Sequence, residues 1–480
     1  MTRFPRAALA AIALLTALGL AWPGPASAAS LGRIDTSIQE PAFFDSGDRD
    51  VALERTKAAG ATWIRVDLEW DQIAPNAPVV ATDPGDSRYD FEGVDELIRD
   101  AAARGLKPFI SVHDAPDWVE RPAGGPHGTN NPPPAALADF FTAIARRYSG
   151  TYEGLPRVSA FEVWNEVNAS FFFMPQKDGN GRPLSPDLYR AIVNAVSAGV
   201  HGVHPDNLVI AGGLFPFFID RPAAQSIAPL RFMRQFLCMS KKLVPKANCG
   251  PPVAFDAWSH HPYTEGSPTH PTGSPDSISI SGLQRMGDLL RAAARHGRIQ
   301  SNGPVQYWVS EWAWDSNPPD PRGVPEALHA RWVSEALYRM WSAGVSLASW
   351  FFLRDGGGQD AKFQSGLYLR CAGGIECDRP KLALQAFRFP FVAIRKKRYV
   401  RIWGRVPPSS TTTRVVIERA RKGQWVRSGS AKVDPGGGVF TRRLPKAKRG
   451  RYRARILGGE ASRGFSLKVP PDFRVSPPVG

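Results

Sequence analysis

Short runs of apolar, β-branched and aromatic residues recur along the chain and predict buried β-strands. There are eight such runs: Arg33–Ile38, Thr62–Asp67, Leu106–His113, Val158–Trp164, Leu208–Gly212, Val253–Trp258, Gln306–Ser310 and Val345–Trp350. Between them lie longer stretches in which apolar residues recur every three or four positions, which predicts amphipathic helices. The clearest are Phe91–Arg104, Ala135–Tyr148, Pro186–Val203, Ile278–His296 and Glu326–Ala343.

Buried strands that alternate with amphipathic helices are typical of parallel βα units. Eight units over about 360 residues predict an α/β fold, a (β/α)8 TIM barrel with long loops, over residues 30–394. The alternative is a doubly wound open sheet. Because no glycine-rich phosphate loop follows the first strand, we favour the barrel.

The pattern changes after residue 394, where short runs alternate apolar and basic residues. Examples are Tyr399–Trp403, Arg414–Glu418 and Arg451–Ile456, with turn clusters such as Pro435–Gly438 between them. This pattern predicts a small antiparallel β-sandwich over residues 395–480, separate from the barrel.

Charge also divides the chain at this point. The tail from residue 395 carries 23 Lys and Arg against four Asp and Glu, a net charge of +19. The whole chain has a net charge of +16, so the preceding residues carry −3. Alternation places the arginines on the solvent face, which fits either a solvated basic surface or a patch that contacts an acidic polysaccharide. No nucleic-acid-binding module is recognisable, and we expect no nucleic-acid partner.

The N-terminal residues have the pattern of a targeting segment. Arg3 and Arg6 precede the apolar run Ala7–Trp22, and Ala26-Ser27-Ala28 has the small-x-small pattern of a cleavage site. A membrane anchor is the alternative, but the run is shorter than the roughly 20 residues a spanning helix needs. We therefore predict a signal peptide over residues 1–29 and a secreted, extracellular protein without integral membrane association.

Four cysteines form two pairs that are close in sequence. Since an exported protein meets an oxidising environment, we predict the disulfides Cys238–Cys249 and Cys371–Cys377. A zinc site is the competing interpretation, but neither pair has the Cys-x-x-Cys spacing that such sites favour.

Polar residues follow several predicted strands at the end where a barrel carries its active site. Glu166 ends the fourth strand, in the sequence Trp164-Asn165-Glu166, and Glu311 ends the seventh, between two tryptophans. Two carboxylates that face one another are what glycosidic cleavage requires, since one protonates the leaving oxygen and the other attacks or stabilises the sugar. No nucleophile elbow competes with this pair.

These residues together resemble clan A retaining glycoside hydrolases, with families 39 and 5 the most similar. The resemblance rests on Asn165-Glu166 after strand four, His261-Pro-Tyr263 after strand six and Glu311 in strand seven, in that order. It covers the barrel and not the tail.

The resemblance implies a role for each matching residue. Glu166 corresponds to the acid/base and Glu311 to the nucleophile; Asn165 bonds the sugar 2-hydroxyl, Tyr263 orients the nucleophile and Arg65 keeps it ionised. Further positions are His113 as a polar contact, His261 beside Tyr263, and Trp350 as the floor of the sugar site. His260 and His261 could exchange roles by a one-residue shift. Arg65 could instead pair with a buried carboxylate, and His113 and Trp350 could be core residues.

The resulting expectation is a secreted glycosidase that hydrolyses O-glycosyl bonds of plant or microbial saccharides or glycosides by double displacement. Long loops after strands four, five and six favour a pocket, so we expect exo action on a terminal sugar. It needs no cofactor. His260, His261 and Glu265 could be read as metal ligands, but they lack a helical HExxH frame, and we expect no metal. The alternatives are a carbohydrate-binding cell-surface protein without turnover and a transglycosylase on the same residues.

Overall fold

Eight parallel strands close into a barrel in the computed structural model, which describes residues 32–120, 125–221, 224–357, 362–445 and 448–477. The strands are β1 (Asp35–Gln39), β2 (Trp63–Glu69), β3 (Lys107–His113), β4 (Ala160–Val163), β5 (Leu208–Leu214), β6 (Ala257–His260), β7 (Gln306–Trp312) and β8 (Leu347–Phe351). Each strand pairs with the next, and β1 pairs with β8 to close the ring. The predicted (β/α)8 barrel is confirmed. The predicted signal peptide lies outside the described residues.

Helices surround the barrel and bury their apolar faces against it. They are α1 (Arg49–Ala58), α2 (Trp70–Ile73), α3 (Glu92–Ala103), α4 (Pro134–Arg147), α5 (Ser185–Val203), α6 (Pro229–Phe236), α7 (Leu283–Arg295), α8 (Glu326–Ala343) and α9 (Leu382–Arg388). Local sequence sets several ends: proline occupies the first turn of α4, and α8 ends at Gly344 with a left-handed φ of 96°. None of the helices in the described ranges is both long and apolar enough to cross a bilayer.

The barrel interior is filled by one inward-facing side chain from each of six strands. These residues are Phe109, Ala160, Ile210, Ala257, Trp308 and Leu347, all nearly or fully buried. The ring of Trp308 meets those of Trp63 and Phe109 at centroid distances of 5.6 and 5.5 Å across the barrel. Side chains alternate along a strand, so this layer fixes which further residues point inward toward the open end.

The sixth strand is shorter than the sequence predicts and begins later. Val253–Ala254 forms a separate short strand with Ile299–Gln300, and β6 begins at Ala257. The intervening Asp256 accepts hydrogen bonds from the Val209 amide and from His201 at 2.9 Å each, which interrupts the apolar run. Other two-residue strands pair in loops: Asp220–Arg221 with Ala224–Gln225, Ser316–Asn317 with Val324–Pro325, and Tyr368–Leu369 with Arg379–Pro380.

The tail forms two antiparallel sheets, as predicted. One consists of β9 (Phe391–Arg395), β10 (Tyr399–Val406) and β13 (Gly438–Pro445); the other consists of β11 (Thr413–Arg421), β12 (Gln424–Val433), β14 (Arg451–Ile456) and β15 (Phe465–Ser466). The residue-394 boundary that the sequence suggests falls inside β9. The tail packs on the barrel, where the buried Arg405 donates to Thr36 Oγ1 at 3.0 Å and to the Gly60 carbonyl at 2.9 Å.

Candidate active site

Glu166 and Glu311 meet at the open end of the barrel, at the carboxyl ends of their strands. Glu166 lies just beyond β4 and Glu311 lies in β7, and both side chains are largely buried. One carboxylate oxygen of each, together with a ring nitrogen of His261, lie within 4.8 Å of one another. The two acids that the sequence places far apart therefore share one site.

A β-bulge turns Glu311 toward the site. Trp308 points into the barrel, so regular alternation would direct Ser310 inward and Glu311 outward. The pairing with β8 shifts between Val309 and Trp312, however, so that two residues of β7 stand opposite one residue of β8. The extra residue lets both Ser310 and Glu311 contact site residues, and bulges commonly serve this purpose beside active sites.

A second bulge lies between β5 and β6. The register shifts between Ala211 and Leu214, leaving Gly212 and Gly213 with φ of 115° and 57°. Glycine is needed at the first of these, since a Cβ on Gly212 would lie 2.3 Å from the Ser259 carbonyl oxygen. The Gly213 carbonyl accepts the Glu166 amide at 2.9 Å, so this bulge fixes the backbone that carries Glu166.

Arg65 and Tyr263 hold the Glu311 carboxylate from two sides. The Arg65 guanidinium forms an ion pair with Oε1, and the Tyr263 hydroxyl donates to Oε2 at 2.9 Å. Burial raises the pKa of Glu311, whereas Arg65 and the Tyr263 hydrogen bond oppose that rise. Both donors favour the charged form, so Glu311 is the acid of the pair that ionises first.

Glu166 lies in a different environment and keeps its proton more readily. Burial raises its pKa well above the usual range, the negative charge of Glu311 raises it further, and Arg65 opposes the rise. His261 Nδ1 lies 2.9 Å from Glu166 Oε1, and His261 Nε2 lies 3.0 Å from Ser310 Oγ. Burial, with the positive charge of Arg65, lowers the pKa of His261 well below its usual value, so this partner is neutral.

The structure distinguishes the two adjacent histidines. His261 faces the carboxylate pair, while His260 Nε2 lies 2.8 Å from the Ile278 carbonyl on the other side of the strand. Burial lowers the pKa of His260 to about 4. Successive residues of a strand point to opposite faces, so only one of the two can reach the site.

Asn165 and His113 also lie where the sequence analysis puts them. Asn165 Oδ1 accepts from Arg65 at 3.0 Å, which leaves its amide nitrogen to donate to a ligand. His113 ends β3, lines the cavity and lies 3.1 Å from Asp114. Burial lowers the pKa of His113, but the Asp114 hydrogen bond and the nearby Asp67 outweigh that effect and raise it overall.

Trp350 does not form the floor of the site. Leu347 of β8 faces the barrel interior, so alternation turns Trp350 outward to the helix layer, where it is fully buried against Trp312 at a centroid distance of 4.6 Å. The aromatic residues that line the cavity at this strand end are Phe351 and Phe352. The expected tryptophan position is thus taken by the next residue along the chain.

Several polar residues of the site were not identified from the sequence. Glu162 of β4 is fully buried and accepts from Ser259 Oγ at 2.6 Å, and its other oxygen lies 3.5 Å from Arg65 Nε. Asp67 pairs with Arg65 Nε at 2.9 Å. The strand alternation could have identified them. An inward-facing apolar residue shares its strand face with each of Arg65, Asp67 and Glu162, and a charge on that face needs a partner inside the barrel.

The carboxylate pair opens into a cavity of about 710 Å³. Its wall includes the phenylalanines Phe44, Phe172, Phe351, Phe352 and Phe363 and the acids Glu40, Asp67, Glu69 and Asp90. Burial raises the pKa of Glu69, and the neighbouring acids Asp114 and Asp71 add to the rise while His113 opposes it. Arg65 and His113 supply the positive charge, so the cavity is acidic as a whole.

Two groups of side chains in the described ranges have spacings that a metal ion could bridge. One is the carboxylate pair with His261, and the other is Asp117, Glu120 and His127 on the loop after β3. In the first, Arg65 already provides the positive charge next to Glu311, so the arrangement is stable without an ion. In the second group Asp117 and His127 are exposed, and exposed acidic groups are common without a metal.

Part of the barrel matches a known protein family. Residues 33–229, which include Asn165 and Glu166, match the family model for cellulase of glycosyl hydrolase family 5. No curated protein matches the chain in sequence.

Solved structures are similar to the chain at low sequence identity. A family 39 glycoside hydrolase from Bacteroides cellulosilyticus WH2 is 15% identical, with 87% of this chain and 81% of that chain covered and a TM-score of 0.51. A family 39 β-xylosidase from Caulobacter crescentus is 17% identical, with 86% and 97% covered and a TM-score of 0.48. The family 5 match and the carboxylate pair identify the chain as a glycosidase, and its barrel fold is shared with a family 39 glycoside hydrolase.

Proposed function

We propose that the protein is a retaining glycosidase that removes sugars from the ends of plant or microbial saccharides or glycosides by double displacement. The observation that supports this most directly is the close carboxylate pair, whose oxygens approach within 4.8 Å. Retaining enzymes separate their carboxyl groups by about 5–5.5 Å, whereas inverting enzymes need about 6.5–9.5 Å to admit a water molecule.

In the first step, the Glu311 carboxylate attacks the anomeric carbon. The bond to the leaving oxygen breaks as Glu166 donates its proton to that oxygen, and an ester links the sugar to Glu311. In the second step, Glu166 takes a proton from water, the water oxygen attacks the anomeric carbon, and Glu311 leaves as a carboxylate.

The surroundings of the pair suit this cycle. The negative charge of Glu311 is one of the causes that raise the pKa of Glu166. Formation of the ester removes that charge, so the pKa of Glu166 falls at the stage where it must act as a base. Asn165 is positioned by Arg65 to donate its amide to a sugar hydroxyl near the reacting carbon.

The cavity supports a neutral terminal sugar as substrate. Its volume of about 710 Å³ is within the range of about 300–1,000 Å³ typical of small-molecule pockets, which favours action at a chain end. The acidic wall would repel a uronic acid, and the phenylalanines provide apolar surface for sugar rings. Export of the protein remains a prediction from its N-terminal residues, and the two disulfides are compatible with it.

A panel of nitrophenyl glycosides tests the proposal with the wild type and three variants. Glu311→Ala should lose turnover on every substrate, because no ester can form. Glu166→Ala should lose about 10²–10⁴-fold on substrates with poor leaving groups, but much less on nitrophenyl glycosides. Glu92→Ala, an exposed acid on α3, is the control and should match the wild type.

Azide assigns the two roles. It needs no base, so it should restore turnover in Glu166→Ala and yield a glycosyl azide of retained configuration, read by proton NMR. An azide of inverted configuration from Glu166→Ala would show that the roles are reversed. Failure of the wild type to release nitrophenol or saccharide from any substrate would instead favour a binding protein without turnover.

A further inference from the structure

A second concave surface lies between α8 and the three-stranded sheet of the tail, and it shares no lining residue with the cavity at the carboxylate pair. This groove has a volume of about 350 Å³. Its walls include three aromatic side chains and two arginines: Tyr338, Trp341, Trp403, Arg401 and Arg443. We call it the arginine–aromatic groove. Its composition differs from that of the acidic catalytic cavity.

The aromatic residues form one cluster that joins the barrel to the tail. Tyr338 and Trp341 of α8 lie 5.7 and 6.0 Å from Trp403 of β10 between ring centroids. Tyr338 and Trp341 are only partly buried, whereas Trp403 is 1% exposed. The indole nitrogen of Trp403 has no hydrogen-bond partner among the described residues. A buried donor of this kind is costly unless a ligand or water accepts from it.

The arginines of the groove are available to bind an anion. In the described part of the chain, neither Arg401 nor Arg443 forms an ion pair with a carboxylate, in contrast to Arg453 and Arg455, which both pair with Glu418 on the other sheet. Arg442, the preceding residue of β13, points to the other face of the sheet, where its Nε donates to the Ser430 carbonyl of β12 at 2.8 Å. Arg443 lies over the ring of Tyr399 at 5.4 Å.

We infer that the arginine–aromatic groove binds a carboxylated polysaccharide of the polyuronate type and tethers the enzyme to it. Each sugar unit of such a polymer offers a ring face to tyrosine or tryptophan and a carboxylate to a guanidinium, which can bind it with two parallel hydrogen bonds. The tail's net charge of +19 attracts the polymer to this surface. The acidic catalytic cavity excludes it, so the polymer is an anchor and not the substrate.

Affinity electrophoresis in gels that contain polygalacturonate tests the inference. The wild type should be retarded in these gels and not in gels that contain neutral xylan. Arg401→Glu/Arg443→Glu should weaken binding at least tenfold. The matched control is Arg414→Glu/Arg427→Glu, which makes the same charge change at two exposed arginines of the four-stranded sheet and should keep most of the retardation.

Each other outcome would overturn the inference. An equal loss of retardation in both double variants would show a general effect of charge. Absence of retardation in the wild type would exclude a polyuronate ligand. Tighter retention on DNA than on polygalacturonate would point to a nucleic acid, and release of reducing ends from polygalacturonate would make it a substrate. All variants should hydrolyse a small soluble glycoside like the wild type, so a failure here is distinguishable from a failure of the proposed glycosidase activity.

Discussion

Replacement of Tyr263 by phenylalanine removes one defined contact with the proposed nucleophile. The Tyr263 hydroxyl donates to Glu311 Oε2 at 2.9 Å, and both side chains are buried. Burial and the neighbouring carboxylates raise the pKa of Tyr263 well above its usual value, so the hydroxyl stays protonated and remains a donor at every pH of interest. The substitution leaves the ring and its packing in place.

The size of the effect follows from the charge on the acceptor. A hydrogen bond to a charged group contributes about 1.5–3 kcal/mol, and one pKa unit corresponds to about 1.4 kcal/mol. The bond stabilises the ionised form of Glu311 and so lowers its pKa; loss of the bond raises it. In the proposed mechanism Glu311 must be ionised and Glu166 protonated, so Tyr263→Phe should shift the acid limb of the pH profile upward by about 1–2 pH units.

The assay is kcat/KM for a nitrophenyl glycoside as a function of pH, since this quantity reports on the free enzyme. The two limbs of the pH profile report two apparent pKa values that belong to the coupled pair of acids, and the acid limb should move more than the alkaline limb. Tyr307→Phe is the control, because the Tyr307 hydroxyl on the same barrel strand as Glu311 has no hydrogen-bond partner among the described residues. An unchanged acid limb in Tyr263→Phe, whatever the loss of rate, would refute the assigned contact.

Three further outcomes are expected. Gly212→Ala should lower the unfolding temperature by several degrees, at a cost of about 1–3 kcal/mol, because the new Cβ would meet the Ser259 carbonyl and the φ of this residue is 115°. The control is Gly202→Ala, which lies in open space on α5 and should leave the unfolding temperature unchanged or raise it. Ending the chain at residue 390 should also destabilise the barrel, since it removes the buried Arg405, but turnover per folded molecule should persist because every cavity residue is retained. Mass mapping of the unreduced protein should find both disulfides closed, and free thiols would contradict the structure.

The sequence by itself determined the fold class and the identity of the acids. Strand and helix periods are local properties, so eight apolar runs separated by amphipathic stretches sufficed to predict the barrel. Polar residues at the carboxyl ends of parallel strands meet at one end of a barrel, so the sequence predicted that Glu166 and Glu311 share one site. The two disulfides followed from the short separation of their cysteines, and both are closed in the structure with Cα–Cα distances of 5.8 and 5.9 Å.

Only the tertiary structure decided which side chains face the site. A strand alternates its faces with a period of two, so a shift of one residue reverses the direction of a side chain. The bulge in β7 brings Glu311 inward, and regular alternation in β8 turns Trp350 outward and leaves Phe351 at the cavity. Bulges depend on pairing with a neighbouring strand, and the Arg65–Glu311 contact joins residues 246 positions apart. Local sequence patterns do not contain information about such distant partners. The site residues could therefore be identified from the sequence, but the direction of their side chains could not.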